Sequence, residues 1–135
     1  MPSGALTGFA IPALVAPFWD HTYVTSSHGH AWRCNGRSVG GGQICSGQGN
    51  TALAHCLAQP NADAGVSYGK AGVCHQMANR ILFPSGQMVS GASGYRLSIF
   101  IYGVYGLDLA TLQHYSPVGL PWPELNFCQG NHAHP

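Results

Sequence analysis

From Cys74 onward the apolar residues fall at Cys74, Met77, Ala78, Ile81 and Leu82, the spacing of a helix with one buried face. His75, Gln76, Asn79 and Arg80 take the positions between them and are expected on the opposite, solvated face. Pro84 stops this helix. A shorter helix, TALAHCLAQ, is expected after Asn50, a good N-cap residue, and is closed by Pro60. His55 and Cys56 are adjacent within it and point to different sides. From His21 the run HTYVTS is β-branched and aromatic, the turn SSHG follows, and HAWRC runs to the Asn35-Gly36 turn signal, a pattern of two antiparallel strands. Arg37 to Gly49 reads as a glycine-rich loop, and residues 60–72 as a polar connection into the Cys74 helix. After the Ser85-Gly86 turn, YRLSIFIYGVYG favours a strand by alternation and aromatic content. A helix from Tyr95, with Leu97, Ile101, Val104 and Asp108 helically spaced, is the alternative. The pattern predicts an α+β fold in which the cysteine helix packs on an antiparallel β-sheet.

The ends of the chain bound this unit. Residues 1–18 are apolar without Lys or Arg, so they lack the basic region of a secretory signal, and Pro12 and Pro17 interrupt any spanning helix. They are expected to form an irregular arm packed on a single catalytic domain over residues 19–128. The chain from Ser116, with Pro117, Pro121 and Pro123, reads as extended surface, and residues 129–135 as a frayed tail. A length of 135 residues suits one domain. Charged residues make up only 7% and the formal net charge is +1, so the chain offers no basic stripe for a nucleic-acid backbone. Hydrophobic residues at 45% suffice for a packed core. Export by a route without such a signal is the expectation for localisation, with the cytoplasm as alternative.

Five cysteines, Cys34, Cys45, Cys56, Cys74 and Cys128, fit two disulfides and one free thiol in an oxidising compartment, with Cys74 the free one. In a reducing compartment all five could remain thiols. The gaps between Cys34, Cys45 and Cys56 lack the short Cys-x-x-Cys pairs of zinc sites, so no metal is expected. Gly40 to Gly42 is not followed by Gly-Lys-Ser or Gly-Lys-Thr, which removes a phosphate-binding loop. No cofactor is implied.

The candidate chemistry is therefore that of a thiol. At the first turn of a helix, Cys74 lies against unpaired N–H groups and the positive end of the dipole, which favour a thiolate and can supply an oxyanion donor. The alternative is a small buried core residue. A thiol nucleophile needs a base, and the base a third group to hold its tautomer. Among the eight histidines, His21 and His30 stand at the starts of expected strands, rigid enough to aim an imidazole. His75 should point away from its neighbour, His55 is helical, His132 and His134 lie in the tail, and His114 is a reserve base. Tyr68 could reach the oxyanion, with an ordinary packing role as its alternative.

The order of WDHTYV, HAW and GVCHQMAN, over roughly residues 19–83, resembles the circularly permuted NlpC-like branch of the papain-like hydrolases. Lecithin:retinol acyltransferase relatives belong to that branch, and their Asn-Cys-Glu-His motif is loosely like Val73-Cys74-His75-Gln76. HAW and GVC also look like motifs of transglutaminase-like proteases, in which the cysteine comes first; here the order is reversed. The resemblance implies a small papain-like domain and a Cys-His hydrolase, a peptidase or amidase acting on a peptide or amide bond. It carries Cys74 onto the nucleophile and His21 onto the base; the third member has no clear match, and His30 is taken for it by elimination. Cell-wall peptide is the substrate it implies, and a toxin or effector role is compatible with it. An acyltransferase of the same fold is one alternative, and a non-catalytic domain stabilised by disulfides or metal is another.

Overall fold

A computed structural model describes residues 3–12, 19–32, 38–59 and 64–107. Among these residues four strands, β1 (Ser3–Pro12), β2 (Asp20–Ser26), β3 (Ala31–Trp32) and β4 (Gly42–Asn50), form one sheet in the order β3-β2-β1-β4. Every neighbouring pair is antiparallel. Among the described residues three helices accompany the sheet: α1 (Thr51–Ala58), α2 (Cys74–Leu82) and α3 (Tyr95–Tyr102), with a 3-10 turn at Phe83–Ser85 after α2. The protein is thus a small α+β fold whose cysteine-bearing helix packs against an antiparallel sheet, as the hydrophobic pattern predicts. Among the described residues no helix is long and apolar enough to cross a membrane. The expected extended surface from Ser116 and the frayed tail at 129–135 lie outside the described residues.

Two segments form strands that the chain pattern does not announce. The apolar arm contains the central strand β1: Leu6, Gly8 and Ala10 face inward, while Phe9 packs its ring on Tyr23 across the other face. Apolar residues on both faces erase the alternation that identifies a half-buried strand. The glycine-rich loop is largely β4. A Cβ on Gly49 would lie 2.8 Å from the Pro84 carbonyl carbon, and one on Gly47 would lie 2.8 Å from the Gln87 side chain. These glycines serve close approach of the 84–87 backbone to the strand, a use that reads as loop in the sequence.

α1 begins as expected, with the Asn50 side chain accepting the Leu53 N–H at 3.1 Å. The 95–102 segment is a helix, which the alternative reading allowed. It starts at Gly94, whose φ of 84° is the left-handed conformation favoured by glycine. α3 turns Tyr95 and Ser98 inward and leaves Leu97, Phe100 and Ile101 exposed. Tyr95 and Ser98 face inward because polar groups of α2 meet them there.

α2 departs most from expectation. Its apolar face packs Met77, Ala78, Ile81 and Leu82 against Leu6, Ala10 and Val24 of the sheet and Ala54 and Ala58 of α1. Its polar face is buried as well, with His75, Gln76, Asn79 and Arg80 all 0% exposed. Three of those side chains reach backbone groups of the chain after α3. Gln76 Nε2 donates to the Gly103 carbonyl, Asn79 Nδ2 to Val104 and Arg80 Nε to Tyr105. Asn79 also donates to the Tyr95 hydroxyl and accepts the Val89 N–H at 2.9 Å, while Arg80 donates to the Ala64 carbonyl. A polar helix face is buried at low cost only when its groups are paired, and here the partners are carbonyls of irregular chain that also need donors.

Replacing Asn79 by Ala leaves buried groups at Val89, Tyr95 and Val104 without their partner. At about 1–3 kcal/mol for an unsatisfied buried group, Asn79→Ala should lower the urea-unfolding free energy by roughly 3 kcal/mol or more. The control Arg96→Ala, on the surface, should change it by less than about 0.5 kcal/mol.

Candidate active site

Cys74 is the first residue of α2, as the sequence predicts, and is 3% exposed. Val73 enters in an extended conformation, and the Gln76 side chain reaches back to accept its N–H at 2.9 Å. That contact is half of a capping box and sets the angle at which the chain enters the helix. The thiol faces the start of β2, with Sγ directed at the Asp20 carbonyl at 3.8 Å. Burial pushes the thiol above the ordinary cysteine value, while the Thr22 N–H and side chain and the N–H groups of His75 and Cys74 pull it down. Thr22 Oγ1 is itself fully buried and has no well-formed hydrogen bond, although it stands against the thiol.

The imidazole beside this thiol is that of His75, whose ring turns inward to the carbonyl that Cys74 uses. His75 Nε2 lies 2.7 Å from the Asp20 oxygen and Nδ1 lies 2.9 Å from Ser98 Oγ. Trp19 stacks on the ring at 5.2 Å and 11°. Gly94 makes room for that Trp19, since a Cβ there would sit 2.6 Å from the indole. A carbonyl only accepts, so Nε2 carries a hydrogen. Burial, the largest effect, holds His75 below the ordinary histidine range; the Asp20 carbonyl and carboxylate oppose it and His21 adds to it. In the neutral ring Nδ1 therefore accepts from the Ser98 hydroxyl. Ser98 Oγ also lies 2.9 Å from the Tyr95 carbonyl and accepts from Gln76 Nε2. On protonation of His75 the Ser98 hydrogen has an acceptor ready at Tyr95.

Asp20 ties the site to the loop before α3. Its N–H donates to the Ser93 carbonyl at 2.8 Å, and its carboxylate accepts the Ser93 N–H at 2.9 Å.

Neither His21 nor His30 stands on the face of β2 that meets α2. Side chains alternate along β2, and Thr22 and Val24 face α2. His21 and Tyr23 occupy the other face, their rings 6.4 Å apart, and Tyr23 continues the stack onto Phe9. His30 lies at the other end of β2, where its carbonyl accepts the Ser26 N–H. Six residues of strand separate that point from Asp20, about 20 Å. The His30 ring packs on Trp32 and, at 4.3 Å, on His55. Tyr68 pairs its backbone with Gly72 and leaves its ring half exposed. The reserve base His114 lies outside the described residues.

The cysteine arithmetic needs correction. Cys45 is free and partly buried on β4, so Cys74 is not the lone free thiol; Cys56 is disulfide-bonded. Cys34 and Cys128 lie outside the described residues. Among the described residues no group of three or more His, Cys, Asp and Glu side chains could hold a metal ion. Sequence reasoning missed Thr22, Asp20 and Ser98. For Thr22 the signal was present in the HTYVTS alternation, which places Thr22 and His21 on opposite faces.

A histidine whose native pKa lies below its unfolded value takes up its proton first in the unfolded chain. The stability His75 contributes is therefore complete above roughly pH 6.5 and declines as the pH falls below it. The gap in urea-unfolding free energy between wild type and His75→Gln should narrow between about pH 7.5 and pH 5. A gap that widens on acidification would mean that the native ring is cationic. Set against known proteins, the chain matches no protein-family model, no curated protein and no solved structure.

Proposed function

We propose that Cys74 is the nucleophile of a thiol hydrolase that cleaves a peptide or amide bond through a thioacyl intermediate. The observation that carries this reading is the place of the thiol: Cys74 is the first residue of α2, among the N–H donors of the helix's first turn, and its Sγ faces the start of β2. Such donors favour a thiolate, and the first-turn N–H groups can then take the developing oxyanion. The thiol releases its proton to solvent, and the thiolate forms a C–S bond to the acyl carbon. The C–N bond breaks, and the amine leaves with a proton from solvent. Water then splits the thioester, releasing the carboxylic acid and restoring the thiol. An amine in place of water at the last step makes the same site an acyltransferase.

His75 serves this reading as a neutral group that fixes the Asp20 carbonyl, since both of its ring nitrogens are engaged. His21, the base implied by the family resemblance, takes no step in this route.

A second reading, a non-catalytic binding or structural domain, is favoured by the depth of the thiol, which burial pushes above the ordinary cysteine range. The two separate in one assay. Mixed with p-nitrophenyl acetate, the hydrolase should release a burst of about one p-nitrophenolate per chain as the thiol acylates. The burst should persist in Cys45→Ala and vanish in Cys74→Ala, with both variants keeping the wild-type circular dichroism. No burst, or a burst unchanged in Cys74→Ala, would establish the second reading.

A further inference from the structure

We infer that Thr22 is a dedicated hydrogen-bond donor to the Cys74 thiolate, held unpaired in the resting thiol form and engaged when the sulfur ionises. Thr22 is 0% exposed on the inward face of β2, two residues from the Asp20 carbonyl that Sγ addresses. Its Oγ1 is buried without a well-formed hydrogen bond. A buried hydroxyl in that condition destabilises the fold, and Val would suit a β-strand and the neighbouring apolar core better. The position therefore keeps a hydroxyl that packing does not require.

The thiol explains it. While the sulfur is protonated, S–H points to the Asp20 carbonyl at 3.8 Å and has little use for another donor. Loss of that proton leaves a carbonyl oxygen and an anion facing each other, an unfavourable pair. The Thr22 hydroxyl and the Thr22 N–H, both turned to Cys74, then supply hydrogens to the charge. One residue thus offers a side-chain and a backbone donor from the strand, opposite the N–H groups that α2 supplies from its first turn. No bond is made or broken in this step beyond the loss of the thiol proton to solvent.

The catalytic meaning of this donor rests on Cys74 being the nucleophile; the donation itself does not, and it is measured on the thiol alone. In a Cys45→Ala background, with Cys74 alkylation by iodoacetamide followed by peptide mass, the pH dependence of the rate reports the apparent thiol pKa. Thr22→Val should raise that pKa by about one unit, which slows alkylation near pH 7 roughly tenfold. Thr22→Ser, which restores a hydroxyl, should return the profile toward wild type. Thr22→Val should melt no lower than wild type, because the valine removes a poorly paired hydroxyl. If Thr22→Val does not fold, Thr22→Ala compared with Thr22→Ser gives the same contrast. An unchanged pH profile in the folded hydroxyl-free variant would overturn the inference. A shifted profile in a protein without an ester burst would retain the donor and refute the hydrolase, whereas a burst with an unshifted profile would do the reverse.

Discussion

Three side chains on one helix face hold three consecutive carbonyls. Gln76, Asn79 and Arg80, at positions i, i+3 and i+4 of α2, donate to Gly103, Val104 and Tyr105. The match is geometric, because residues three and four apart in a helix stand on one side and so meet a short stretch of extended chain in order. It also solves two problems together. Carbonyls just beyond α3 lack helical donors, and the amide and guanidinium groups of α2 could not be buried unpaired. Because α2 is covered on this side by the chain after α3 and on the other by the sheet, it is the most enclosed element described.

That enclosure sets the chemistry at the start of α2. His75 and Gln76 are both hydrogen-bonded to Ser98, and Cys74 is directed at the beginning of β2. Asp20 is the junction there. Its carbonyl receives His75 and Cys74, and its N–H and carboxylate hold Ser93 in the loop leading to α3. Burial and donation oppose each other at the sulfur. Desolvation favours the neutral thiol, while the surrounding N–H groups favour the thiolate more strongly than they could in water, since the same low dielectric strengthens them.

The histidines show how far local pattern reaches. A strand histidine such as His21 is well placed for rigidity, but the alternation that makes HTYVTS legible as a strand also assigns His21 and Thr22 to opposite faces. Which face meets the helix depends on the other strands. Ile11 lies opposite His21 and Ala10 opposite Thr22, and it is the side of Leu6, Ala10 and Val24 that α2 covers. The His75 ring, expected to point away, is drawn inward by Trp19, Ser98 and the Asp20 carbonyl, each brought from a distant part of the chain.

The sequence by itself determined the α+β class, a strand through HTYVTS, a helix capped by Asn50, and the placement of Cys74 at the first turn of a helix ended before Pro84. Each of these follows from periodicity or a cap within a dozen residues. Only the tertiary structure decided that the apolar arm is the central strand β1, that the glycine-rich segment is β4, and that Tyr95 begins a helix. It alone turned the polar face of α2 into core, since the carbonyls that satisfy Gln76, Asn79 and Arg80 lie 25 or more residues away. Local spacing sets which residues share a face, but whether that face meets water, carbonyls or a thiol is set by contacts that no short window of sequence contains.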